Sequence, residues 1–151
     1  MKRILVTGGT GMVGKHLQKL IPDANFIGSK DCNLTEWEQV DNLLEIFKPT
    51  HVIHLAAKVG GIQDNIKYPA DFFDDNILIN THMLKASYKH NIKRFTGILS
   101  TCVYPDIVST YPMKEEDLFL GPPTKTNFSY GYAKRCLAVQ INAYNEQYET
   151  S

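Results

Sequence analysis

Ile4-Leu5-Val6-Thr7-Gly8-Gly9-Thr10-Gly11-Met12-Val13-Gly14 joins a short continuous apolar run to three glycines spaced as G-x-x-G-x-x-G. The run reads as a buried strand. The pattern from Met12 to Ile21, with Val13, Leu17, Leu20 and Ile21 on one face, reads as a helix stopped by Pro22. In a strand-to-helix turn, Gly8 permits the tight turn, Gly11 lets backbone approach a pyrophosphate at the helix N-terminus, and Gly14 lets helix and strand pack closely. Met12 and Val13 share that turn and belong to the same candidate site. Glycines here could serve the turn alone, and a lone glycine motif is weak. Their place in the first strand-helix unit favours a dinucleotide site.

The same alternation continues along the chain. Asn25 to Ser29 reads as a second strand, and Thr35-Glu36-Trp37-Glu38 as a capping box opening a helix that runs to Lys48 before Pro49. Val52 to Ala57 is the next buried strand, ending in Ala56-Ala57 at the expected ligand side, and a long helix follows from Ala70 to Asn91. Phe95 to Ser100 is another strand. A loop rich in proline, threonine and glycine spans Cys102 to Phe128, and Tyr130 to Tyr148 closes as a helix with Ala133, Leu137, Gln140, Ile141, Tyr144 and Tyr148 at helical spacing. Alternating strands and helices with buried strands predict an α/β fold, a doubly wound, right-handed parallel sheet of Rossmann type over residues 1–151. Its ligand should lie across the carboxyl ends of the strands.

Bulk composition narrows the function. A chain of 151 residues with 43% hydrophobic content can bury one domain's core, and sixteen basic residues balance sixteen acidic ones, so net charge points to neither nucleic acid nor a membrane surface. Cys32, Cys102 and Cys136 are few, odd in number and far apart, which fits neither a disulfide framework nor paired zinc ligands and suggests a reducing, cytoplasmic setting. The apolar run behind Met1-Lys2-Arg3 is too short for a signal peptide, and no run of about 18 apolar residues suggests a membrane span. His51 and His54, three apart in a strand, face opposite sides and do not make a shared metal site. Glu115-Glu116-Asp117 reads as a solvated loop, and Cys32 and Cys136 as packing residues.

Two further stretches carry chemistry. Ser29-Lys30-Asp31 ends the second strand, where Asp31 could bind a ribose 2′-hydroxyl (NAD) or Ser29 and Lys30 could hold a 2′-phosphate (NADP). Ser129-Tyr130-Gly131-Tyr132-Ala133-Lys134-Arg135 holds two tyrosines, but residues four apart share a helix face and residues two apart do not, so Tyr130 pairs with Lys134. An ammonium beside a phenol whose reference pKa is about 10 favours the phenolate and eases proton transfer. Such a pair can give a proton to a carbonyl oxygen while hydride reaches its carbon, and Lys134 can hydrogen-bond a cofactor ribose. Ser100-Thr101-Cys102, at a strand's carboxyl end, supplies a hydroxyl for the same oxygen.

The glycine turn, the hydroxyl-bearing strand end and Tyr130-x-x-x-Lys134 together resemble extended short-chain dehydrogenase/reductases. His51 to Gly61, Asn65 to Pro69, Leu99 to Asp106, Gly121-Pro122-Pro123 and Tyr130 to Arg135 narrow the resemblance to the GDP-L-fucose synthase family of NADPH-dependent GDP-4-keto-6-deoxymannose epimerase/reductases. The resemblance covers essentially the whole chain. It implies Ser100, Tyr130 and Lys134 as a reductase triad at the C4 carbonyl, and Cys102 as an acid/base group at the carbons flanking it. It also tips Lys30 toward the 2′-phosphate, hence NADP, and places Asn33 and Leu34 beside the adenine. Members of that family are longer, and the resemblance implies that their substrate domain, with the histidine that partners the cysteine, is missing here. The expectation is therefore either such an enzyme or its cofactor half. A catalytically silent dinucleotide-binding partner, or a related sugar-nucleotide epimerase or dehydratase, is the alternative. Without a further strand, Phe95 to Ser100 would be an exposed sheet edge, so self-association, as a homodimer or otherwise, is expected through that edge or the last two helices.

Overall fold

The computed structural model describes residues 2–108 and 110–150; Met1, Ser109 of the long loop, and Ser151 lie outside the described residues. Strand β1 (Ile4–Thr7) is apolar and almost wholly buried, as a strand covered on both faces must be. Helix α1 (Met12–Leu20) ends at Ile21, before Pro22, whose missing N–H cannot continue the ladder. Strand β2 (Asn25–Ile27) is shorter than its apolar run suggests, because Asp31 Oδ2 accepts the Gly28 N–H at 2.7 Å and turns the chain away.

Helix α2 (Trp37–Phe47) departs from the expected cap. Glu36 occupies the N-cap without a side-chain hydrogen bond, and the Thr35 hydroxyl instead donates to Asn33 Oδ1 at 2.9 Å. The capping box over Thr35 to Glu38 is thus overridden by a local side-chain turn, the usual competitor for these residue types. The helix stops where Lys48 turns left-handed ahead of Pro49. Strand β3 (His51–His54) leads to a short helix α3 (Ile62–Lys67), in the glycine-containing stretch where the sequence pattern announced a loop, and then to the long helix α4 (Pro69–Lys89). Pro69 begins α4, where its absent N–H is harmless. At the other end Asn91 turns left-handed and the Ile92 N–H reaches back to Ser87 O at 2.9 Å. Strand β4 (Arg94–Gly97) and helix α5 (Phe128–Tyr148) follow, separated by 3-10 turns at Thr101–Val103, Glu115–Phe119 and Lys125–Asn127. The expected solvated acidic loop is the second of these turns, with Asp117 accepting the Lys114 N–H at 3.1 Å.

The strands form a parallel sheet in the order β2-β1-β3-β4. The chain moves outward from β1 to β2 and then crosses back to β3, so the direction of winding reverses between β1 and β3. Right-handed crossovers then put α2, α4 and α5 in one layer, which agrees with the packing of α4 against both α2 and α5, and put α1 on the opposite face. Leu5, Val40, Leu44, Val52, Met83 and Ala86 fill the core under the first layer. On α1, Met12 and Leu20 remain largely exposed. Among the described residues no helix is long and apolar enough to cross a membrane.

Candidate active site

A cleft of about 800 Å³ opens at the carboxyl ends of β1 and β3, where the winding reverses. The glycine turn forms one wall. Gly8 has φ +70°, and a Cβ on it would stand 2.8 Å from Ala56 N, so the turn after β1 runs hard against the end of β3. A Cβ on Gly14 would stand 2.5 Å from the carbonyl oxygens of both Gly8 and Gly9, so the helix can begin this close to the strand only without a side chain. The result is bare backbone at the start of α1, which suits a pyrophosphate.

Of the residues singled out from sequence, Gly8, Gly11, Met12, Val13, Gly14, Ser29, Asn33, Leu34, Ala56 and Ala57 line this cleft. Lys30, Tyr130 and Lys134 do not form its wall. Cys32, expected as a packing residue, is 5% exposed and belongs both to the core and to the cleft lining, and burial pushes its thiol up. Asp31, one of two candidates for reading the ribose, spends its carboxylate on its own turn through the Gly28 N–H. Exposed Lys30 has no such engagement among the described residues.

The second cluster stands beside the cleft. Ser100 Oγ accepts the Cys102 N–H at 3.2 Å, and the Ser100 side chain stands close enough to Tyr130 to act on its phenol. Lys134, 2% exposed, donates from Nζ to Ile98 O at 3.0 Å. Because Ile98 also lines the cleft, this one residue joins the cluster to it. Tyr132 points elsewhere, packing on Phe128 with ring centroids 4.7 Å apart and lying under the Arg135 guanidinium.

Electrostatics correct one expectation. An ammonium lowering its tyrosine neighbour was expected, yet burial pushes the Tyr130 phenol up, Cys102 adds to the rise, and only the nearby Ser100 side chain opposes it. The reason is that Lys134 spends its hydrogen bond on a backbone carbonyl and is itself desolvated, which brings it down to about 8. Tyr130 therefore remains protonated at neutral pH, the form that can donate.

Sequence reasoning missed a buried polar chain between the two clusters. The Ala56 N–H reaches Thr7 Oγ1 at 3.3 Å, and Thr7 Oγ1 meets His54 Nδ1 at 2.8 Å. His54 Nε2 meets Asn80 Oδ1 at 3.2 Å, and Asn80 Nδ2 donates to Ala133 O at 3.5 Å. Asn80 Oδ1 can only accept, so the His54 proton is assigned to Nε2 and the Thr7 hydroxyl donates to Nδ1. Burial, with the Lys134 charge, drops His54 to about 3 against the Asn80 hydrogen bond, and the ring is neutral. The signal that could have exposed this chain is Asn76 and Asn80, two amides four apart on the buried face of α4.

The sequence profile of the NAD dependent epimerase/dehydratase family matches residues 4–151. The chain belongs to this family. Among its relatives, GDP-L-fucose synthase of Dictyostelium discoideum is 43% identical over 97% of this chain and 48% of its own length. Probable GDP-L-fucose synthase of Drosophila melanogaster is 43% identical over 98% of this chain and 48% of its own length. A crystal structure of a GDP-L-fucose synthetase from Naegleria fowleri bound to NADP superposes with a TM-score of 0.87 at 39% identity, covering 97% of this chain and 48% of that one. This epimerase/dehydratase-family chain thus spans about half the length of the curated relatives it matches.

Proposed function

We propose that residues 1–151 form the NADP-binding, proton-donating part of a GDP-4-keto-6-deoxymannose epimerase/reductase that yields GDP-L-fucose. What carries this reading is the meeting of the cleft and the Ser100–Tyr130–Lys134 cluster at Ile98. The relatives named above add the sugar nucleotide and the cofactor. The bare backbone of the glycine turn fits a pyrophosphate, and Asp31, held within its own turn, leaves Lys30 and Ser29 to meet a 2′-phosphate.

NADPH, held by the glycine turn with Ser29 and Lys30 at its 2′-phosphate, would supply the hydride for the C4 carbonyl carbon. Tyr130 gives its proton to the carbonyl oxygen as the charge there develops. The Ser100 hydroxyl, close to Tyr130, steadies the same oxygen. Lys134, held on Ile98 O at the edge of the cleft, can meet the cofactor ribose. Cys102 takes one side of the proton exchange at the carbons flanking the carbonyl, which the carbonyl makes acidic; inversion before reduction needs a second acid/base group on the opposite face, the part the family resemblance gives to a histidine.

Calorimetric titration with NADPH and NADH tests the cofactor half. NADPH is expected to bind the more tightly, and Lys30→Ala to weaken NADPH by about tenfold, the loss of one charge-assisted contact, while leaving NADH unchanged. Equal binding of the two, indifferent to Lys30, would overturn the assignment. Self-association belongs to the same proposal. Among the described residues strand β4 has a neighbour on one side only, and Leu78, Tyr88, Val139 and Tyr148 leave apolar surface on α4 and α5. Sedimentation at micromolar concentration should show a dimer or larger species; a strictly monomeric profile removes this part.

A further inference from the structure

The sulfur of Cys102 has a partner that neither the sequence motifs nor the proposed reaction assigns. Asn127 Nδ2 donates to Cys102 Sγ at 3.1 Å. Asn127 is the N-cap residue of α5, a place where asparagine normally turns its side chain onto the helix's own amides. Here it makes no such bond and reaches the sulfur instead. The geometry is held from both sides. Ser100 Oγ accepts the Cys102 N–H, and a Cβ on Gly131 would lie 2.6 Å from Cys102 O, so the first turn of α5 is pressed against the turn that carries the cysteine.

The other end of the Asn127 carboxamide is equally informative. Its Oδ1 is buried and has no hydrogen-bond partner among the described residues. Nitrogen and oxygen of such a group exchange places by a half-turn about the terminal bond, and an amide anchored at both ends would have to break a bond to do so. This one is anchored only through Nδ2 to the sulfur, so turning over exchanges one contact with sulfur for the other and breaks no second bond. With Nδ2 toward sulfur the amide serves a thiolate, which only accepts; turned over, its Oδ1 receives the proton of a thiol S–H. A side chain that alternates between acid and base passes through both forms.

We propose that Asn127 is a positioning residue for Cys102: its singly anchored carboxamide holds the sulfur in place in either protonation state and follows the proton by turning over. This rests on the reading of Cys102 as the acid/base group. The titratable group facing the sulfur is Tyr130 from α5, in electrostatic contact with it.

Cys102 reactivity tests the assignment on the chain itself. Alkylation by iodoacetamide is followed by peptide mass between about pH 6 and pH 10, because only the thiolate reacts. Asn127→Ala should slow modification of Cys102 at neutral pH about tenfold and displace its profile to higher pH, as loss of a hydrogen bond to a charged acceptor requires. Asn127→Asp, nearly the same shape, should slow it further by setting a carboxylate against the thiolate. Cys136 in the same samples should be modified at an unchanged rate, which reports an intact α5. Profiles for Cys102 that superimpose on the parent in both variants overturn the proposal. The underlying reading fails separately, if Cys102→Ser leaves epimerisation intact in the form of the protein that turns over.

Discussion

In the form of the protein that turns over the keto sugar, Tyr130→Phe is expected to lower carbonyl reduction roughly 10³-fold, the middle of the range for a positioned proton donor. NADPH affinity should hardly change, because the phenol is not part of the cleft wall. The expectation follows from the protonation state. Burial keeps Tyr130 protonated, the ring of phenylalanine fills the same space, and only the O–H beside Ser100 disappears. Single-turnover hydride transfer, monitored by loss of NADPH absorbance, separates this from a binding defect. Reduction at the parent rate would show that another group donates the proton and would remove Tyr130 from the mechanism.

Gly14→Ala should cost about 3 kcal/mol, the upper part of the range for overpacking. That corresponds to a fall of roughly 10 °C in the unfolding midpoint for a chain of this size. The new methyl would meet two backbone carbonyl oxygens at 2.5 Å, and neither can swing aside as the end of a long side chain could. Relief must come from moving α1 away from β1, which spoils the anion cradle, so NADPH binding should be lost as well. Gly61→Ala is the matched control, since a Cβ there meets nothing within 4 Å. Differential scanning calorimetry and the NADPH titration check both effects. Two variants with the same midpoint would mean that the turn is looser than its distances imply.

The parts of this architecture that a sequence can announce are those imposed by the backbone. Gly8 and Gly14 stand where a side chain has no room, and the spacing of Tyr130 and Lys134 is the pitch of a helix, so both are legible without coordinates. Apolar runs announced the strands but overstated their lengths, because hydrogen bonds such as Asp31 to Gly28 end a strand while the burial continues. The capping signature at Thr35 failed for a related reason: Asn33, two residues earlier, competes for the same hydroxyl. Least legible was the coupling of charges. The spacing of Tyr130 and Lys134 gives adjacency but not burial, and burial decided which way the phenol moves.

The chain of hydrogen bonds through Thr7, His54, Asn80 and Ala133 also bears on synthesis. Its members come from β1, β3, α4 and α5, so the His54 imidazole gains its acceptor only when α4 packs on the sheet, and the Asn80 amide gains Ala133 only when α5 does. Water must stay with that ring until Asn80 arrives, and with the Asn80 amide until Ala133 does. The last helix is thus what dries the middle of the sheet, and a ribosome that has delivered only the glycine turn and its first strands has delivered a site not yet able to close.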